Sequence, residues 1–501
     1  MTQRVHIEFQ RIQTWLFVVP RLRAMVGGNT LLGETLRVEL PKLARAPGRG
    51  WSLSPASGYP TADPNDPLCD YDDPSADALD GILARDGGHF VAQFASGAEA
   101  FAGAAAELLR ESLPGLRFRI WLDGGEVAKS PMLLPTELPV LAPCEWTGRG
   151  LASAIVSQGG EQFAVSLEVA ARHEAANRMQ DGTARDLASL LAIKTKLGRL
   201  DRPQDLQDLA GGRYLALVYA DGNGVGSAAG TSDVERAQFF HRNRVRMRRA
   251  LKEAIDRHCP ASGRAPLVLL MLGGDDLLLV CRADVALPFV VTLCEELAAL
   301  QRHDEDGFEL TLGVGAVFAR HTVPIHRLHE VAEQLADSAK RRFRGFKDTG
   351  KKGRSVVDWA VYTTAWAEEP EDIRRRDWLC GAGADLRVLS HRPLDVLGTG
   401  LDTLQGLLEG AKKLGPAPRS QLRHLVDQLP RGRVLSELAL AELSKEARVA
   451  LEDAGLRKLW RRTSDDGPWL TALLDLVEVF ETPKLGRSAE RPKPSMEVPH
   501  G

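Results

Sequence analysis

LVLLMLGGDDLLLV, residues 267–280, sets six apolar residues, then Gly273-Gly274-Asp275-Asp276, then four more apolar residues. Two short apolar runs around a Gly-rich centre predict a β-hairpin whose arms are buried on both faces. Gly-Gly and Gly-Asp are turn chemistry. Glycine permits a positive φ and lets a ligand approach the backbone. The adjacent carboxylates are harder to place. They repel, and each raises the other's pKa. A divalent cation would remove that cost; a solvated turn would only dilute it. The hairpin alone leaves both readings open.

A second acidic stretch narrows the choice. YLALVYADGNGVGSAAG, residues 214–230, is an apolar strand that ends at Asp221 and runs into Gly222, Gly224 and Gly226. A carboxylate at the carboxyl end of a central strand, beside a Gly-rich loop, suits metal and phosphate binding. Alone, Asp221-Gly222 reads equally as an Asp-Gly turn. Together the two stretches predict three carboxylates, Asp221, Asp275 and Asp276, on adjacent central strands.

A chain of 501 residues can bury two or three cores. Net charge is −3, so nucleic-acid contact would need local basic patches rather than a polycationic chain. The six cysteines fall singly, at 69, 144, 259, 281, 294 and 380, with no CxxC pair. That pattern encodes neither a zinc knuckle nor a disulfide framework. No apolar run reaches membrane-spanning length, and MTQRVHIEFQRIQ has no signal-peptide core. The expected location is cytoplasmic, with no membrane partner.

Coarse patterning gives an α/β (α+β) chain. Residues 1–128 read as a first palm-like domain of strand, helix, strand, helix, strand, half of a ferredoxin-like βαββαβ unit or a decayed whole one. Residues 47–88, rich in Gly, Pro, Ser and Asp, read as a long loop. Residues 129–210 read as a mostly helical connector with a Pro-punctuated start. Residues 211–378 repeat βαββαβ more regularly: strand 213–220, basic helix 233–257, strands 266–272 and 276–282, helix 285–301, strand 308–319, helix 325–342. Residues 379–485 read as a helical domain, and 486–501 as a disordered tail.

The motifs Asp221-Gly222-Asn223-Gly224-Val225-Gly226, Gly273-Gly274-Asp275-Asp276, LTLGVGAVFA (310–319) and Ala339-Lys340 carry a resemblance. The second half is similar to the palm-type nucleotidyltransferases that include GGDEF diguanylate cyclases. It most resembles the large palm-domain polymerase subunit of type III CRISPR effector complexes. IQTWLFVVPRLRAMVGGNTLLGE (12–34) resembles that family's opening strand and helix. Three departures stand out. Asn223 takes the place of a second Asp, the zinc-binding region is reduced to Cys144, and the HD nuclease domain is absent. His303-Asp304 lies in a polar stretch that reads as a solvated loop.

The resemblance implies an enzyme that joins ATP into cyclic oligoadenylate messengers in antiviral defence. It implies Mg²⁺ or Mn²⁺, two ions per site, held by Asp221, Asp276 and, as second choice, Asp275; no zinc is expected. Gly222, Asn223, Gly224, Gly226, Gly273, Gly274 and Lys340 would hold the nucleotide. Guide RNA, target RNA and other effector subunits are the implied partners. A cyclic dinucleotide synthase and a non-catalytic palm scaffold are the alternatives. The Arg-dense helix 238–258, with Arg242, Arg246 and Arg249 one turn apart, and the basic run 339–354 are candidate phosphate or RNA surfaces, or solvated faces.

Overall fold

The computed structural model describes residues 2–123, 125–129, 142–211, 213–302, 308–348, 353–362, 368–462, 464 and 466–485. His303-Asp304, Lys351 and the tail 486–501 lie outside the described residues.

Two sheets carry the chain, and each is a complete ferredoxin-like unit. In the first, β1 (Gln3–Gln10) is central, antiparallel to β3 (His89–Ser96) on one side and β4 (Arg117–Leu122) on the other; β2 (Ile82–Ala84) pairs with β3. Helices α1 (Leu22–Glu34) and α2 (Ala98–Ser112) belong to this unit. The unit is therefore whole rather than half. The stretch expected to be a long loop contains β2 together with the helix Pro74–Leu79 and the short strand Ser52–Leu53, which also pairs with β3.

The second unit follows the expected order closely. Strand β5 (Tyr214–Gly222) leads through α3 (Asp233–His258) to the hairpin β6 (Leu267–Leu272) and β7 (Leu277–Arg282). Then come α4 (Ala286–Leu300), β8 (Leu312–Arg320), α5 (Ile325–Asp348) and β9 (Val356–Val361). The sheet order is β6-β7-β5-β8-β9, ending on the short strand Leu394–Asp395. A capping box starts α3: Ser232 Oγ accepts from the Glu235 amide, and the Glu235 carboxylate accepts from the Ser232 amide.

Helices cover both faces of this sheet, which is why its strands read as unbroken apolar runs. Ala216, Val218 and Ala220 of β5 join a core with α3 and α4. Leu215 and Leu217, on the other face, pack with Leu328, Val331 and Leu335 of α5 and with Phe17, Leu22 and Met25 of the first unit. The close approach of α5 to β8 needs glycine. A Cβ at Gly315 would stand 2.0 Å from the Ala332 carbonyl oxygen.

Two other regions add strands to expected helices. In the mostly helical connector, Ala154–Gln158 and Glu161–Val165 form a hairpin ahead of the helix Leu167–Gln180. Cys144 and Trp146 pack there with Val156, Val165 and Val169 in a small apolar core. The C-terminal region adds a four-stranded sheet of two-residue strands to its helices. Among the described residues, no helix is long and apolar enough to cross a membrane.

Candidate functional site

The hairpin β6–β7 and the end of β5 meet as predicted. Ala220 pairs with Leu277. Extending that antiparallel register by one residue sets Asp221 opposite Asp276. The turn is closed by the Gly273 amide donating to the Asp276 carbonyl at 2.8 Å. Neither Gly273 nor Gly274 has a positive φ, so the glycines are not there for backbone freedom. A Cβ on Gly274 would make an ordinary contact, 3.6 Å from the Arg244 side chain. Gly222 is needed for closeness, since its Cβ would meet Asp275 Oδ2 at 2.4 Å. Gly224 alone in this loop takes a left-handed φ, 69°, before the short helix Val225–Ala228. Gly226 lines the cavity described below.

The acids are set against one another. Burial comes first in raising the Asp276 pKa, followed by the charges of Asp221 and Asp275 and a hydrogen bond with Asp221; the result is pushed up to about 8. Asp275 is raised as well, by burial and then by Asp221, while its own amide works the other way. Lys340 makes an ion pair with Asp221. It does so from inside α5, which runs on to Asp348, six residues past the expected end at 342. Gly313, opposite Asp221 in the sheet, admits the lysine stem: a Cβ there would be 2.6 Å from Lys340 Cγ.

Asn223 is 2% exposed. Its side-chain amide donates to Thr311 Oγ1 at 3.1 Å, and its backbone amide donates to the Thr311 carbonyl at 2.8 Å. It ties the loop to β8, and its buried Oδ1 has no hydrogen-bond partner. A second Asp here would add a buried charge; Asn supplies the same anchor without one.

The predicted set divides across the tip of the sheet. Asp221 and Lys340 face a depression of about 400 Å³ that also includes Glu330, Glu333 and Asp337. Gly226, Gly274, Asp275 and Asp276 face a larger cavity, about 680 Å³, between the two ferredoxin-like units. The Asp221–Asp276 pair is the wall between the two. Sequence reasoning missed the opposite bank of the large cavity and the α3 residues over it, Phe240 and Arg244. It chose Arg242, Arg246 and Arg249; Arg246 is buried, and Arg242 and Arg249 are half-buried. The spacing of 233, 236, 237, 240 and 244 was the available signal. In the basic run, Arg341 pairs with Glu371, and Arg342 and Arg354 pair with Asp395.

Hard carboxylate oxygens, too crowded to ionise together, are the donor chemistry that Mg²⁺ or Mn²⁺ satisfies. Asp221 and Asp276 fit such an ion in that respect. Among the described residues, however, no group of three His, Cys, Asp or Glu converges at metal-holding geometry. A full ligand set would require Lys340 or the Asp275 turn to shift.

An antiparallel βαββαβ sheet with acids at the end of its first strand and at the following hairpin defines a palm-domain protein. Residues 214–349 match the family described as Cas10/Cmr2, second palm domain. That segment contains Asp221, the Gly273–Asp276 turn and Lys340. Among solved structures, a chain of the Csm1–Csm4 cassette in complex with cA4 aligns at 12% identity and TM-score 0.39, covering 68% of this chain and 53% of that one. The cassette in complex with AMPPNP aligns at 13% and 0.44, covering 96% and 69%. The cassette in complex with one ATP aligns at 13% and 0.45, covering 97% and 70%. The chain thus spans from about half to about two-thirds of the length of the chains it aligns with. No curated protein matches it.

Proposed function

We propose that the protein joins nucleoside triphosphates: a 3′-oxygen attacks an α-phosphate and pyrophosphate leaves. The observation that carries this reading is the Asp221–Asp276 pair at the sheet tip of a Cas10/Cmr2 second palm, with Asp276 raised to about 8. Two bound divalent ions would polarise the attacking oxygen and neutralise leaving charge. Asp221 and Asp276 would hold them, with Asp275 bracing the turn. The loop Gly222–Gly226 and the Gly273-Gly274 turn leave backbone open to a nucleotide, and Asn223 keeps that loop on β8. Lys340 would exchange Asp221 for triphosphate oxygens, as a point charge rather than a proton carrier.

ATP is the proposed substrate and cyclic oligoadenylate the proposed product. The setting would be a type III CRISPR effector complex with guide RNA, target RNA and further subunits. Support comes from the family match and from the ligands of the aligned cassettes, cA4, AMPPNP and ATP. Incubating the purified chain with Mg²⁺ or Mn²⁺ and each triphosphate, with mass spectrometry of the products, tests this. Cyclic oligoadenylates from ATP alone are expected. A cyclic dinucleotide would move the assignment to that synthase class. No product, alone or with the neighbouring subunits and target RNA, would leave a scaffold.

A further inference from the structure

The triphosphate-joining reading places its acids and the open backbone of Gly226 and Gly274 on one bank of the large cavity, but assigns no cationic or aromatic side chain to hold a nucleotide there. Lys340 cannot do so from where it stands, because it lies on the other side of the Asp221–Asp276 wall. A volume of about 680 Å³ suits a small organic ligand. Helix α3 presents one stripe to it: Asp233, Arg236, Ala237, Phe240 and Arg244. Positions separated by three or four residues share a helix face. At 1.5 Å per residue, Arg236 to Arg244 spans about 12 Å.

Resting on that reading, we propose that this stripe is the nucleotide-gripping surface, with Arg244 binding phosphate and Phe240 carrying the base. Arg244 lies against Gly274, next to Asp275 and Asp276, and its side chain is 15% exposed. Its ion pairs are long. Nε stands 3.4 Å from Asp72 and 4.0 Å from Asp86, a guanidinium nitrogen is 3.4 Å from His241 Nδ1, and Nε has no hydrogen bond.

Those two acids already have closer cations. Arg248, fully buried, reaches Asp72 at 2.6 Å and Asp66 at 2.7 Å, and Arg37 reaches Asp86 at 2.5 Å. The other arginines around the cavity are engaged too: Arg4 with Asp233 at 2.5 Å, Arg236 with Asp233 at 3.0 Å, Arg85 with Asp77 at 2.6 Å. Arg244 is the loosest-paired cation among the described lining residues. A phosphate would give its planar fork the short, charge-assisted partner that the fold withholds.

Phe240 is one helical turn away and 36% exposed, on a helix whose apolar residues are otherwise mostly buried. Its ring meets that of Phe239 edge-on at 5.6 Å, and Phe239 is buried, which holds the outer ring in place. Tyr59 of the first unit lines the same cavity. An open aromatic face in a cavity is a stacking platform for any base.

The test is equilibrium binding of three probes, with Mg²⁺, to the full chain: adenosine, ATP and inorganic triphosphate. Arg244→Ala should weaken ATP and triphosphate about tenfold or more and leave adenosine unchanged, with Arg244→Lys recovering part. Phe240→Ala should weaken adenosine and ATP together by about tenfold and leave triphosphate unchanged. Phe240→Leu, which keeps the volume apolar, should lose stacking to a similar degree. Thermal melting of each variant separates binding loss from unfolding. Wild-type protein that binds neither ATP nor adenosine would overturn the triphosphate-joining reading itself. Wild-type protein that binds ATP, with Arg244→Ala and Phe240→Leu binding equally well, would overturn only the stripe.

Discussion

The two palms share a topology and even a turn length, yet they treat charge oppositely. In the second, the four residues between the hairpin arms are Gly273-Gly274-Asp275-Asp276; in the first they are Arg85-Asp86-Gly87-Gly88. The register Glu8 to His89, extended by one residue, sets Phe9 opposite Gly88, and the Phe9 amide donates to the Gly88 carbonyl at 2.8 Å. Buried Phe9 thus stands where the second palm has Asp221, and Gly88 where it has Asp276. The one acid of the first turn, Asp86, is held by Arg37 at 2.5 Å. A fold that neutralises its acids is using them for structure. A fold that crowds them, as at Asp276, keeps them for a ligand.

The largest effects should come from forcing either palm to behave like the other. Phe9→Asp would bury a carboxylate with no partner, and should cost about 3 kcal/mol or more in chemical denaturation. An unchanged unfolding midpoint would mean that the first palm tolerates the acid and the contrast is accidental. In the second palm, Asp221→Ala and Asp276→Ala should each lower product formation by about 10³-fold or more, in line with removing groups that stabilise transition-state charge. Metal-free melting should hold steady or rise for Asp276→Ala. A fall of several kcal/mol there would make the acid structural.

Lys340 comes next. Among the described residues, it is the cation that pairs with Asp221. Lys340→Ala should lower triphosphate use by about 10²-fold, and Lys340→Arg should restore part, because a guanidinium is larger and planar. Steady-state rates check both. A fully active Lys340→Ala would remove the lysine from the site.

The acid pair also sets a pH dependence that the first palm lacks. Burial, then the charges of Asp221 and Asp275, push the Asp276 pKa from the ordinary carboxylate range up to about 8. The folded state therefore favours the protonated acid. This contribution to stability is complete below about pH 4 and is lost as pH rises through about 8. Metal-free wild type should melt progressively lower than Asp276→Asn between pH 6 and pH 9, and added Mg²⁺ should narrow the gap. A gap that does not change with pH would mean that Asp276 ionises freely.

Local pattern carried most of the second palm. Strand β5, the hairpin and α5 were legible because apolar runs, Gly-Asp turns and the buried positions Leu328, Val331 and Leu335 are short-range signals. The pairing of Asp221 with Asp276 followed from two strand ends. Strand β2 was not legible, since three residues among Gly, Pro and Asp have no period to detect. Nor was the working face of α3. Periodicity groups Arg236, Phe240 and Arg244 as readily as Arg242, Arg246 and Arg249, and only the packing of the first palm against this helix decides which group meets a cavity. The equivalence of Arg85-Asp86-Gly87-Gly88 with the acidic turn needs the strand register, which lies outside any local window.

The smallest effect separates two glycines of one loop. Gly222 has no room: a Cβ would sit 2.4 Å from Asp275 Oδ2 and 2.5 Å from Val225. Gly226 has nothing within 4 Å and a φ that any residue adopts. Gly226→Ala should therefore leave stability unchanged or raise it by about 0.5 kcal/mol, by restricting the unfolded chain. Yet Gly226 lines the large cavity. If phosphate approaches that backbone, a methyl group there should raise the KM for triphosphate a few-fold while kcat and melting stay put. Gly226→Ala with an unchanged KM would mean that the nucleotide lies nearer the Gly273-Gly274 turn, and that Gly226 is open only because nothing packs on it.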